Sequence, residues 1–154
     1  QTKIENGGTI SNLDHGNMIY AYFTDGTSVG EAATIEIKDL TNPKVTITPD
    51  LSTLTTNSVN VTVEAKDNEW GMPSSPNYIF YINDKSASKT LVSSSTNSAI
   101  YTIKGLIANQ DNIIRVEVED RAKNKGSAEC SATPKTVETA QGKIVFSDPT
   151  WSNH

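Results

Sequence analysis

Two segments of the chain alternate apolar and polar residues strictly, which is the pattern of a half-buried β-strand. In SVNVTVEAK, residues 58–66, the side chains of Val59, Val61, Val63 and Ala65 fall on one face and polar residues fill the other. Successive side chains of a strand point to opposite faces, so a period of two predicts one face against a core and one toward water. We therefore expect Val61, in the middle of the strand, to lie between two sheets.

The segment NIIRVEVE, residues 112–119, alternates in the same way, with Ile114, Val116 and Val118 on its apolar face. Other segments carry β-branched or aromatic residues between turn residues, which is typical of strands. They are residues 44–48, 77–83, a stretch near 88–92, 99–104 and 127–132. No window of about 11 residues shows the apolar stripe of a helix. Seven short strands at this spacing predict an all-β, two-sheet sandwich.

The second half of the chain repeats part of the first. Alignment of Asp25 with Asp120 gives an offset of 120 − 25 = 95 and sets Ile19 on Ile114. Similar offsets match Ala21 with Val116, Phe23 with Val118, Gly30 with Gly126, residues 9–13 with 102–106, and KVTITPD at 44–50 with KIVFSDP at 143–149. A period of this length corresponds to one sandwich-sized domain and is too long for a solenoid repeat.

The repeat divides the chain into three parts. Residues 1–40 are interpreted as the C-terminal part of a preceding unit, and residues 41–136 as a complete unit. Residues 137–154 are interpreted as a linker or the first strand of a following unit. Polar junctions that contain Pro or Gly mark both boundaries, as expected between domains.

The repeated segment ends in a turn in both copies. After the strand 112–119 the chain reads DRAKNKG, and after the first copy it reads DGTSVG. Asp120 is suited to accept hydrogen bonds from backbone N–H groups two residues on, and Asn124 and Gly126 are residue types that tolerate positive φ angles. The repeated segment is therefore predicted to be a strand followed by a hairpin turn.

These residues resemble the immunoglobulin-like and fibronectin type III-like repeats of bacterial surface proteins. AIYTIKGLIANQDNIIRVEVEDRAKNKGSA is similar to the pattern Y-T-F-x-G-L … V-x-V-x-D-x-A-G-N of such repeats, and VTVEAKDNEWGM is similar to V-x-A-T-D-N-E-S-G. The resemblance implies sandwich units in tandem array within secreted or wall-attached proteins of Gram-positive, clostridial-type bacteria. The animal fibronectin type has a Tyr six residues after a Leu that corresponds to Leu106, whereas this chain has Asn112 there.

Composition and charge agree with a β-rich chain and disfavour two classes of partner. Ser, Thr and Asn make up about a third of the residues, and the formal net charge is −5, whereas nucleic-acid binding favours a basic face. No apolar run approaches the roughly 20 residues of a membrane helix. A single cysteine, Cys130, excludes an internal disulfide. The chain opens on QTKIENGG without a signal peptide, so we expect either that it has none or that it is an excised piece.

The sequence offers little for catalysis. Nucleophilic catalysis needs a Ser or Cys beside an oriented base, and the chain has two histidines, His15 in a predicted loop and His154 at the end. No G-x-S-x-G or H-E-x-x-H motif occurs. We therefore expect no enzyme and no catalytic residue.

Calcium is the one cofactor for which the sequence offers ligands. Asp67, Asn68 and Glu69 follow one strand and Asp120 follows another. In a sandwich these two loops can lie at the same pole, and calcium binds clustered carboxylate and carbonyl oxygens. The alternative is an ordinary solvated turn.

The loop after the strand 58–66 also contains a tryptophan, in the run Trp70-Gly71-Met72-Pro73. Aromatic residues dominate binding hot spots and stack on sugar rings, so Trp70 and Met72, with Tyr20 and Tyr22 on the first copy, are candidate ligand-binding residues. The alternative is that Trp70 packs over the end of its own sandwich or against the neighbouring unit.

Together these observations favour a non-catalytic extracellular module that acts as a stalk, spacer or adhesive segment. Its expected partners are neighbouring units of the same chain. A first alternative is a carbohydrate- or protein-binding module, directed at a host or matrix glycan or protein, that uses the Trp70 loop. A second alternative is a subunit of an extracellular filament that assembles by strand pairing between chains. Strands outside a complete sheet have unpaired backbone N–H and C=O groups that can pair with another chain.

Overall fold

The structure is a computed structural model that describes residues 7–136. Along these residues the chain forms strands and one 3-10 helical turn at Leu51–Thr53. The strands are β1 (Met18–Ala21), β2 (Ala33–Glu36), β3 (Lys44–Asp50), β4 (Ser58–Lys66), β5 (Ile79–Ile82), β6 (Lys85–Ser86), β7 (Ser88–Ser94), β8 (Ser98–Lys104), β9 (Asn112–Glu119) and β10 (Lys125–Ala132). Within this range, no helix has the length and apolar character that a membrane crossing requires.

Two antiparallel four-stranded sheets form a sandwich from β3 to β10. One sheet has the order β3-β4-β8-β7, and the other has the order β10-β9-β5-β6. If β3 is counted as the first strand of the unit, one sheet contains strands one, two, six and five, and the other contains strands eight, seven, three and four. This order matches the sheets of an immunoglobulin-type sandwich. The prediction of an all-β, two-sheet sandwich is confirmed.

The core lies between the sheets and is built from the faces that the alternation marks as apolar. Val61 is fully buried, as expected from its position in the middle of β4. Phe80 of β5 packs on Tyr101 of β8, with ring centroids 5.2 Å apart, and joins the two sheets. The remaining buried apolar residues are Val59, Val63, Ala65, Tyr78, Ile82, Ala99, Ile103, Leu106, Ile114, Val116, Val118 and Ala132.

The edge strands β6 and β7 are the elements that the sequence pattern locates least well. The sequence does not predict β6, because two residues are too few to show a period. Every residue of β7 is exposed, and its pairing with β8 shifts register between Leu91 and Ser93. A strand without an apolar face leaves no alternation to read, so its bounds follow from pairing with β8 alone.

Asn124 and Gly126 do not adopt the positive φ angles that their residue types tolerate. In the β9–β10 turn the residue with positive φ is Lys123, at 73°. Gly126 lies inside β10, and a Cβ atom there would come within 2.2 Å of the Pro43 carbonyl oxygen and 2.8 Å of a Val45 methyl group. Glycine is therefore required because β3 passes directly over β10.

Asn112 occupies the position at which the animal fibronectin type has a Tyr. It is completely buried at the start of β9. Its Oδ1 accepts from the backbone N–H of Ile107 at 2.9 Å. Its Nδ2 lies within hydrogen-bond distance of the carbonyls of Ile107, Gln110 and Ala132. One amide side chain thus fastens the loop before β9 to the end of β10.

Before the sandwich, β1 and β2 form a separate antiparallel hairpin. Its register pairs Ile19 with Ile35 and Ala21 with Ala33. The β9–β10 hairpin pairs Ile114 with Cys130 and Val116 with Ala128. Each residue of these β9–β10 pairs lies 95 positions after its counterpart, so one offset relates both strands and their register.

The two hairpins differ in what covers them. Ile114 and Val116 of β9 are fully buried between the sheets. At the corresponding positions of the first hairpin, Ile19 is only partly buried and Ala21 is exposed. Residues 137–154, including the KIVFSDP segment, Trp151 and His154, lie outside the described residues, as do residues 1–6.

Candidate functional site

Three aspartates from distant parts of the chain meet at one end of the sandwich. Asp39 lies between β2 and β3, Asp67 directly follows β4, and Asp120 directly follows β9. Each offers a carboxylate oxygen, and these oxygens all lie within 4.8 Å of one another. Asp39 is 1% exposed and Asp120 is fully buried, whereas Asp67 is partly buried. We call these three residues the aspartate cluster.

The sandwich itself brings two members of the cluster together. β4 and β9 belong to opposite sheets and end at the same pole, so that the first residue after each strand reaches the same space. Asp39 arrives from the segment that connects the hairpin to β3. The cluster therefore joins residues of the proposed preceding unit to both sheets of the complete unit.

Backbone and amide donors hold one oxygen of Asp39, one oxygen of Asp67 and both oxygens of Asp120. The N–H of Thr41 donates to Asp39 Oδ1 at 2.9 Å, and the N–H of Gly71 donates to Asp67 Oδ2. Asn124 donates to Asp120 twice, from its backbone N–H to Oδ1 and from Nδ2 to Oδ2, both at 2.9 Å. The same Nδ2 lies 3.1 Å from the carbonyl oxygen of Asp39. Asn124 therefore connects two members of the cluster.

Two carboxylate oxygens of the cluster have no hydrogen-bond donor. They are Asp39 Oδ2 and Asp67 Oδ1, and both are shielded from solvent. Within residues 7–136, no ion pair connects Lys, Arg or His to any of the three carboxylates. Buried charges are normally paired or bound to a metal, so the cluster carries negative charge that these protein contacts leave uncompensated. An all-carboxylate oxygen set is suited to a hard cation.

The structure brings together only part of the calcium set considered from the sequence. Asp67 and Asp120 meet, whereas Asn68 and Glu69 are exposed and lie outside the cluster. Sequence reasoning missed Asp39, because it assigned residues 1–40 to the preceding unit and considered ligands only from the loops of the complete unit. The available signal was an acidic residue at the boundary between two units, close in the chain to the pole where the loops after β4 and β9 were expected to meet.

The Trp70 loop lies beside the cluster and contacts the segment before β1. Trp70 is partly buried and meets the ring of His15 edge-on, with centroids 6.3 Å apart. His15 is exposed, and its Nδ1 accepts from the backbone N–H of Asp39 at 3.1 Å. Met72 packs against the sandwich core. The loop is therefore in contact with both the preceding segment and the sandwich.

The two candidate tyrosines are on the hairpin. Tyr20 lies in β1 and Tyr22 follows it, and both are exposed. Phe23, next to Tyr22, is 93% exposed. These side chains form no part of the aspartate cluster.

Comparison of the chain with protein-family models and with curated protein sequences finds no match.

Proposed function

We propose that the chain is a non-catalytic, extracellular immunoglobulin-like module that acts as a stalk, spacer or adhesive segment of a bacterial surface protein. The observation that carries this proposal is the common register of the β1–β2 and β9–β10 hairpins under a single offset of 95 residues. Two hairpins with the same pairing are expected if units of one kind follow one another along the chain.

A polar side chain at the start of each hairpin adds support. Asn17 precedes β1 and lies 95 positions before Asn112. Asn17 Oδ1 accepts from the backbone N–H of Asp14 at 3.0 Å, as Asn112 Oδ1 accepts from Ile107. The same residue type therefore closes the loop before both hairpins.

A spacer is tested by whether each added unit lengthens the molecule. We expect a chain with residues 41–136 duplicated, about 250 residues long, to be elongated, with a radius of gyration of roughly 24 Å for two units about 40 Å apart. A single globule of that length would have a radius of gyration of about 18 Å. Small-angle X-ray scattering distinguishes these values, and the smaller one would contradict the spacer proposal.

The exposed hairpin supports filament assembly as a second candidate. Phe23 is 93% exposed, and Ile35 and Tyr20 are 63% and 61% exposed. Within residues 7–136 the two-stranded sheet has no further strand, so both of its outer edges are open to pairing. Filament assembly predicts oligomers that grow with protein concentration and disappear when residues 1–40 are removed. Light scattering after size-exclusion chromatography measures both effects, whereas a spacer remains monomeric.

A further inference from the structure

We propose that Asp39, Asp67 and Asp120 bind a hard divalent cation, Ca²⁺ in preference to Mg²⁺, and that this ion fastens the β1–β2 segment to the sandwich. The fastening role rests on the proposed function, since it treats the cluster as the joint between two units. Binding of the ion rests on the cluster alone.

The first argument is the charge of the cluster. Its three carboxylate oxygens lie within 4.8 Å of one another, and two of the residues are almost completely buried. Like charges at such distances repel, and removal of each from water adds a further cost. Among residues 7–136, no basic side chain forms an ion pair with the cluster. A bound divalent cation would compensate this charge.

The second argument is independent of the first and concerns unpartnered atoms. Asp39 is 1% exposed, yet its Oδ2 has no hydrogen-bond donor, and the same is true of Asp67 Oδ1. Buried polar atoms almost always have partners. The other oxygen of each carboxylate is held by a backbone N–H, from Thr41 and Gly71. This is the arrangement of metal ligands, in which outer donors fix the carboxylate and leave one oxygen for the ion.

The donor atoms indicate the class of ion. Zinc favours Cys and His ligands, whereas three carboxylates form an oxygen site for Ca²⁺ or Mg²⁺. Ca²⁺ accepts six to eight oxygens in flexible geometry, including backbone carbonyls and water, whereas Mg²⁺ demands a near-ideal octahedron. Ligands from three separate connecting segments are suited to the more tolerant ion.

Thermal unfolding of the full chain tests binding. We expect Ca²⁺ at a hundredfold excess over its Kd to raise the Tm by roughly 5–10 °C relative to chelator, because a ligand that binds the folded state stabilises it. Mg²⁺ and K⁺ at matched ionic strength are expected to give smaller shifts. An equal response to all three salts, or no response to Ca²⁺, would overturn the site.

Single Asp→Asn substitutions test the ligands. Asp39→Asn removes one charge and keeps an oxygen for the N–H of Thr41, so in chelator its Tm should equal or exceed that of the parent chain. Asp120→Asn also removes one charge, but it loses one of the two bonds from Asn124, so its Tm in chelator should be lower. The affinity of both variants for Ca²⁺ should fall at least tenfold, since calcium affinity follows ligand charge. Asp67→Asn applies the same test at the partly exposed member, where folding is least at risk. Asp84→Asn, in an exposed turn at φ 63°, is the matched control and should respond like the parent.

Proteolysis tests the fastening separately. Lys38 is exposed and directly precedes Asp39, so endoproteinase Lys-C, used at fixed activity, reports on this segment. Ca²⁺ should slow cleavage after Lys38 at least tenfold in the parent and in Asp84→Asn, but not in Asp39→Asn. If Ca²⁺ binds but does not slow cleavage after Lys38, the ion site is supported and the fastening role is overturned. Neither result depends on the scattering test of the spacer, so a failure of the ion site or of the fastening can be distinguished from a failure of the proposed function.

Discussion

Asn112 connects the loop before β9 to the end of β10 through one side chain. Its Oδ1 receives the N–H of Ile107, and its Nδ2 lies near the carbonyls of Ile107, Gln110 and Ala132. Because the residue is fully buried, water cannot replace these bonds if the amide is lost.

We expect Asn112→Leu to lower the free energy of unfolding by about 2–4 kcal/mol, because it leaves several buried backbone groups without a partner. Urea denaturation measures the change. Asn97→Leu, in the exposed turn before β8, is the matched control and should stay within about 0.5 kcal/mol of the parent. Equal effects of the two substitutions would contradict the proposal that the Asn112 side chain holds the loop before β9 to the end of β10.

Cys130 is the single thiol of the chain, and it packs against the core from β10. Burial raises the pKa of this thiol from an ordinary value of 9.0 to about 11. The thiolate is the reactive form, and a higher pKa lowers its fraction at pH 8 by about a hundredfold. We therefore expect iodoacetamide to modify native Cys130 about a hundredfold more slowly than the unfolded chain, as followed by mass spectrometry. Similar rates in the two states would contradict the burial of this thiol.

At the scale of elements, β3 at the edge of one sheet passes close to β10 at the edge of the other. Gly126 allows it, because a Cβ atom at that position would lie 2.2 Å from the Pro43 carbonyl oxygen. The alternation of apolar residues in β4 and β9 determines which of their faces point inward. The approach of β3 to β10 depends instead on the absence of a side chain at Gly126.

Gly126→Ala should therefore lower the free energy of unfolding by about 1–3 kcal/mol, because backbone atoms must move to admit the methyl group. Ser127→Ala, at the next and exposed position of β10, is the control and should be nearly neutral. Chemical denaturation of both variants gives the comparison. A neutral Gly126→Ala would mean that β3 does not pass this close to β10.

At the scale of the whole molecule, the hairpin and the sandwich differ in how they bury apolar surface. The sandwich has a continuous core between two four-stranded sheets. The β1–β2 hairpin leaves Tyr20, Phe23 and Ile35 exposed. A two-stranded hairpin alone is at best marginally stable in water.

Residues 41–136 should consequently fold alone and unfold cooperatively, and residues 1–40 alone should not fold. Amide dispersion in NMR spectra of the two fragments tests both statements. The 41–136 fragment lacks Asp39, so its Tm should also lose the response to Ca²⁺ that we expect of the full chain. A dispersed spectrum from residues 1–40 would contradict the division at residue 40.

The sequence by itself determined the features that depend on local pattern. A period of two places Val61 and Val116 inward, because successive strand side chains must point to opposite faces. The same reasoning predicts the strands 58–66 and 112–119 with the bounds that the structure has, and seven such strands imply two packed sheets.

Only the tertiary structure determined which distant residues meet. It also showed why certain positions require a particular residue type. Asp39 joins Asp67 and Asp120 because β3 starts beside the end of β4, and no spacing in the sequence encodes that meeting. The sequence suggests that Gly126 is a turn glycine. In the structure, glycine is required there because a side chain would collide with the carbonyl oxygen of Pro43, which is distant in sequence. Periodicity reports the faces of single strands, whereas a site built from three segments depends on how those strands are packed together.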